Sequence, residues 1–148
     1  MTISGEATPA VAGVTVGDLM TPDPILVRSD APLVKAAHLL DQHRIHGLPV
    51  VDESGALVGV VSQTDMLRAR TTEYLWTAWR GLQVRHLMST PALTISAEAS
   101  LTDAAARMEE YQVHRLVVVA EDGASPIGIV STSDLVRAMA AEVTDGPA

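Results

Sequence analysis

An internal repeat constrains this chain more than any other feature. Val16-Gly17-Asp18-Leu19-Met20 returns as Val84-Arg85-His86-Leu87-Met88, and the same offset of 68 residues carries Leu33, Ala36 and Ala37 onto Leu101, Ala104 and Ala105. The match continues through His46 and His114, Val50-Val51 and Val118-Val119, and Gly55 and Gly123. One extra residue then shifts Gly59, Ser62, Asp65 and Arg68 onto Gly128, Ser131, Asp134 and Arg137. Each half, at about 55 residues, is too small to be comfortable alone, so the two are expected to bury surface against each other with pseudo-two-fold symmetry.

Within each copy the hydrophobic period changes in a fixed order. Ile25-Leu26-Val27 and Leu93-Thr94-Ile95 read as short strands, followed by Asp30 or Ser100 placed to start a helix. Leu33, Ala36, Ala37 and Leu40, matched by Leu101, Ala104, Ala105 and Met108, recur at i, i+3, i+4 and i+7 and predict one apolar helical stripe. Leu48-Pro49-Val50-Val51 and Leu57 to Val61, around Gly55, predict a hairpin; so do Leu116 to Val119 and Ile127 to Val130 around Gly123. A closing helix follows each. The fold class is α/β (α+β), two β-α-β-β-α repeats.

The junction before each closing helix carries the chemistry. Gly59-Val-Val-Ser62-Gln-Thr64-Asp65 and Gly128-Ile-Val-Ser131-Thr-Ser133-Asp134 each run from a β-branched strand into a helix. The serine is a natural N-cap and the aspartate falls at N3, beside free amides and the positive end of the helix dipole. Such an end can take an anion, and the carboxylate can accept hydrogen bonds from a sugar's adjacent hydroxyls. Ser-x-x-Asp is equally a capping box, and duplication alone does not separate the two readings.

Composition narrows the classes. An apolar share of 47% supplies a core, while the absence of cysteine removes disulfides and thiolate zinc sites. A net charge of −8 opposes binding to nucleic acid or anionic membrane through the general surface field. No apolar run approaches the ~18 residues of a membrane span, and the opening residues lack a signal-peptide pattern, so the cytoplasm is the expected place. Lys35 is the one lysine; Arg44, Arg68, Arg115 and Arg137 lie close to the repeated junctions, where a guanidinium can hold phosphate or simply lie solvated on a helix.

The expected organisation is a flexible tail at 1–15, the first repeat at 16–70, an inter-repeat aromatic helix and linker at 71–83, the second repeat at 84–139 and a tail at 140–148. The helix of the linker is expected to continue the first closing helix through Tyr74, Leu75, Trp76, Ala78 and Trp79 to a stop at Gly81. Its aromatics suit core packing or a dimer interface.

These features together resemble a tandem pair of cystathionine-β-synthase (CBS) domains, a Bateman module, over about 16 to 139. The marks are Val-x-x-Leu-Met, His46-Gly47-Leu48-Pro49-Val50-Val51-Asp52, the junction at 59–65 and the second copies of all three. The resemblance implies clefts between the repeats that bind an adenosine-containing small molecule: AMP, ADP or ATP as a regulatory ligand, or S-adenosylmethionine or NAD. It also implies pairing into a homodimer. Carried over by position, Asp65 and Asp134 would accept ribose hydroxyls, with Ser62, Thr64, Ser131 and Ser133 at ribose or phosphate. Backbone groups of His46, Gly47 and Leu48, and of His114, Arg115 and Leu116, would face the adenine edge, and Val27 and Ile95 would wall its faces. The second copy departs from the pattern: Val117 replaces proline and Ala120 replaces aspartate. The two clefts are therefore expected to be unequal. The lack of a long basic cluster favours AMP or ADP over ATP.

The residues bear on other functions as well. No Gly-x-Ser-x-Gly elbow, His-Glu-x-x-His, phosphate-loop lysine or cysteine nucleophile is present, so no catalytic residue is assigned. His43 and His46 lack a nearby third ligand, so no metal site is assigned. The preferred reading is a stand-alone adenosine-ligand sensor, no enzyme, acting in trans on an unknown protein target through ligand-dependent rearrangement. The alternative is a ligand-independent dimerisation or interaction scaffold.

Overall fold

The computed structural model describes residues 13–145; the remainder of the two expected tails lies outside them. The chain forms two compact units, one from residues 24–92 with 124–126, the other from the segment up to Asp23, residues 93–123 and the segment from Ile127 onward. Sequence repeats and compact units do not coincide. Residues 16–23, which open the first repeat, belong with the second repeat, and residues 84–92, which open the second, belong with the first.

The elements in chain order are α1 (Val16–Leu19), β1 (Thr21–Pro22), β2 (Val27–Arg28), α2 (Leu33–His43), β3 (Gly47–Val51), β4 (Leu57–Ser62), α3 (Gln63–Thr71) and α4 (Glu73–Thr77). After two 3-10 turns at Trp79–Gly81 and Val84–His86 come β5 (Thr94–Ser96), α5 (Leu101–Tyr111), β6 (Arg115–Val119), β7 (Pro126–Ser131) and α6 (Thr132–Asp145). One sheet runs β2-β3-β4 and the other β1-β7-β6-β5. In each, a short strand lies parallel to the hairpin's first arm, Val27 opposite Val50 and Ile95 opposite Val118, with the helix crossing between them. β-Branched residues suit the pleated surface, and the crossover helix lets parallel neighbours connect.

In the unit of residues 24–92, Leu33, Ala36 and Leu40 of α2 pack on Leu48, Val50 and Val61. In the other, Leu101, Ala104 and Met108 of α5 pack on Leu116, Val118 and Val130. The small alanines let each helix approach its sheet closely. Both helices end with a residue in the left-handed region, Arg44 (φ 55°) and Gln112 (φ 55°). Gly55 (φ 89°) and Gly123 (φ 72°) turn the hairpins, where a Cβ would strain the backbone.

The exchanged opening segments occupy matching places. Thr21 pairs antiparallel with Ile129 and Pro22 with Gly128, extending one sheet. Ser89 bridges Val60 through two backbone bonds of 2.8 and 3.0 Å at the edge of the other.

Three local expectations change. Asp30 does not cap α2: it pairs with Arg28 at 2.7 Å, which holds its carboxyl below the ordinary aspartate value, and the Leu33 amide is taken instead by the carbonyl of Leu82. The aromatic helix does not run unbroken to Gly81. The Thr71 hydroxyl donates to the carbonyls of Leu67 and Arg68, Thr72 is extended (φ −100°, ψ 112°), and the chain restarts as α4 and a 3-10 turn. Threonine hydroxyls compete in this way with the helix's own amides. Leu75 and Trp79 reach the core, Tyr74 is 74% exposed, and Trp76 stacks under Arg70 (4.6 Å) beside Trp79 (5.3 Å). Finally, α6 runs to Asp145, past the boundary expected at 139.

Candidate functional site

The two junctions fold almost identically. Ser62 leaves β4 in an extended conformation and its Oγ accepts from the amide of Asp65 (3.3 Å). Asp65 returns the bond: its Oδ2 accepts from the Ser62 amide (2.7 Å) and hydroxyl (3.1 Å). In the second copy Asp134 Oδ2 accepts from the Ser131 amide (2.8 Å) and hydroxyl (3.0 Å), and Ser131 Oγ accepts from the Asp134 amide (3.3 Å). Both carboxylates are buried, with Asp65 4% and Asp134 8% exposed.

The remaining oxygen of each faces an arginine one turn along. Arg68 Nη2 lies 3.3 Å from Asp65 Oδ1, and Arg137 Nη1 donates to Asp134 Oδ1 at 3.1 Å. Thr15 with Asp18 and Ser100 with Asp103 make the same reciprocal cap, yet Asp18 and Asp103 are exposed and have no arginine partner among the described residues. Burial and the Asp-x-x-Arg pair set the two junctions apart from plain caps.

The turn before β3 or β6 is fastened to the same helix end. The amide of Gln63 donates to the His46 carbonyl (2.9 Å) and its side chain to the Ile45 carbonyl (3.2 Å). The Thr132 amide (2.9 Å) and hydroxyl (3.3 Å) both donate to the His114 carbonyl. Gly47 stands opposite Ser62 in the hairpin register. The structure thus brings His46, Gly47, Ser62 and Asp65 to one place and His114, Ser131 and Asp134 to another. Thr64 and Ser133 are exposed in the first turns of α3 and α6; Arg115 is exposed at the start of β6.

Leu48, Leu116, Val27 and Ile95 are buried in the two cores. The carbonyls of His46 and His114 already hold a helix amide, a role that makes Gln63 and Thr132 part of each site. Their signal in the sequence is positional: each is the first residue after the N-cap. Beside the second junction, a groove of about 360 Å³ opens between α5 and α6, lined by Met108, His114, Thr132, Leu135, Val136 and Met139 among others. Among the described residues no three histidine or carboxylate side chains gather as metal ligands, and no helix is long and apolar enough to cross a membrane.

Against known proteins, a family model described as CBS domain matches residues 16–71 and again 84–141. The chloroplastic CBS domain-containing protein CBSX2 of Arabidopsis thaliana is 34% identical over 85% of this chain and 63% of its own length. The crystal structure of CBSX2 in complex with AMP is similar at a TM-score of 0.75 and 34% identity, covering 89% of this chain and 99% of that one. The CBS domain pair of protein MJ0100 in complex with 5′-methylthioadenosine and S-adenosyl-L-methionine gives a TM-score of 0.76 at 26% identity, over 87% and 98% of the two chains. An L-aspartate semialdehyde sulfurtransferase of Methanocaldococcus jannaschii is 29% identical over 82% of this chain. The chain spans 22% of that enzyme's length and less than two thirds of CBSX2's.

Proposed function

The chain belongs to the CBS-domain family, and from that premise we propose that it is a regulatory module whose two Ser-x-x-Asp junctions bind adenosine-containing ligands of the AMP, ADP or ATP type. One observation carries the reading: Asp65 and Asp134, unlike Asp18 and Asp103, are buried acceptors at a helix N-terminus with an arginine in reach. A carboxylate so placed suits the vicinal hydroxyls of a ribose, while the helix end and an arginine suit its phosphate. The neighbouring proteins solved with AMP, and with S-adenosyl-L-methionine and 5′-methylthioadenosine, support the same ligand class.

The output is regulatory rather than catalytic: ligand occupancy rearranges the surface presented to a protein target in trans. Pairing into a homodimer belongs to the same proposal, supported by Leu67 on α3 and Val136 and Met139 on α6, large apolar side chains left exposed. Those residues also favour the second reading, a scaffold in which the junctions only cap helices.

Thermal melting with and without AMP separates the two, because a ligand that binds only the folded state raises stability in proportion to RT ln(1 + [L]/Kd). The expected result is a melting temperature that climbs with AMP concentration in the wild type and is unresponsive in the double variant Asp65→Ala, Asp134→Ala. Without ligand each substitution should cost about 1 kcal/mol for the lost cap. An AMP response that survives the double substitution removes the ribose assignment.

A further inference from the structure

The two junctions differ in how their arginines are held. Arg68 uses the same Nη2 atom that faces Asp65 to donate to the backbone carbonyl of Leu87 at 3.1 Å, tying α3 to the exchanged segment 84–92. In the second junction the counterpart of Leu87 is Leu19, and no bond from Arg137 to its carbonyl is found among the described residues. Exposure follows the bonding. The Arg68 side chain is 51% exposed and that of Arg137 72%.

A ribose hydroxyl approaching Oδ1 has to share that oxygen with the guanidinium or displace it. Swinging Arg137 into water breaks its one bond, to Asp134 Oδ1, and the incoming hydroxyls replace that donor on the buried carboxylate while the guanidinium, already 72% exposed, stays hydrated. Displacing Arg68 also strips the Leu87 carbonyl of a charged donor. Resting on the adenosine-ligand reading above, we infer that Arg68 is a specificity-determining latch: it weakens the first junction for ligand, so that one adenosine ligand seats at Asp134 before Asp65 is used. Asp65 then serves chiefly to fasten α3 to segment 84–92.

Calorimetric titration of the full chain with AMP tests this. The variants are Asp65→Asn and Asp134→Asn, which keep an oxygen for the serine amide, and Arg68→Ala and Arg137→Ala. Arg68→Gln joins them as a variant that removes the charge but keeps a polar side chain on α3, and ligand-free melting of every variant provides the control against a folding defect. The wild type is expected to bind one AMP per chain. Asp134→Asn should weaken that binding about 10-fold or more and Asp65→Asn less than about 3-fold, while Arg137→Ala leaves the stoichiometry at one. Arg68→Ala and Arg68→Gln should each add a second equivalent. Equal losses from the two aspartate variants, a larger loss from Asp65→Asn, or a stoichiometry unmoved by both Arg68 variants would overturn the latch and leave the ligand site standing. Absence of AMP binding, or binding indifferent to both aspartates, would remove the ribose assignment and the latch with it.

Discussion

At the tip of the first hairpin, Asp52 Oδ1 accepts from the Ser54 hydroxyl (2.7 Å), the Ser54 amide (2.9 Å) and the Ala56 amide (3.0 Å). The Ser54 hydroxyl bond, followed by the amides, holds its carboxyl below the ordinary aspartate value. Ala120 fills this place in the second hairpin and leaves no such acceptor. A carboxylate whose folded value is depressed adds stability above its unfolded value, and loses it as pH falls through the folded one. Melting of wild type and Asp52→Ala should therefore differ most at neutral pH and converge in acid, below the ordinary aspartate range. A gap that stays constant into acid would show that the ionised carboxylate does not brace the turn. At this scale the sequence was legible where one residue has one local job, as at Ser62, Ser131, Gly55 and Gly123. It misled at Asp30, because an aspartate two residues after an arginine finds a guanidinium more readily than a helix end beginning at Pro32.

Among elements, the exchanged segments depend on two glycines. A Cβ on Gly59 would stand 2.7 Å from the Ser89 carbonyl oxygen and 3.0 Å from Met88 Sδ, with backbone in the way. A Cβ on Gly128 would meet chiefly the end of the flexible Met20 side chain, with the Thr21 carbonyl at 3.0 Å. Overpacking costs least where a side chain can move. Gly59→Ala should lower stability by about 2 to 3 kcal/mol and Gly128→Ala by roughly half as much, measured by urea unfolding of both variants. Equal costs would mean that segment 88–90 yields as easily as the methionine. The hydrophobic periods placed α2, α5 and both hairpins, since packing against a sheet writes itself into spacing. They did not foresee the break after Thr71, which depends on hydroxyl bonds to the preceding turn rather than on which face is apolar.

For the molecule as a whole, duplication marks repeats at 16–70 and 84–139, while hydrogen bonding groups the opening segment of each with the other repeat. The amides of Val16 and Gly17 donate to the carbonyls of Ala99 and Ala97, and those of Val84 and Arg85 to Ala31 and Ser29. Nothing in the apolar pattern records this, because Val16 and Val84 satisfy the same burial requirement in either partner. Native-state deuterium uptake would expose the division, since cooperative openings release groups of amides together. Val16, Gly17 and Met20 should exchange in step with Leu116 and Val118, a hundred positions away, and out of step with Leu40 and Val50. A fragment excised at the edges of one motif would consequently leave behind the strip that borders its own sheet and carry off a strip made for the other.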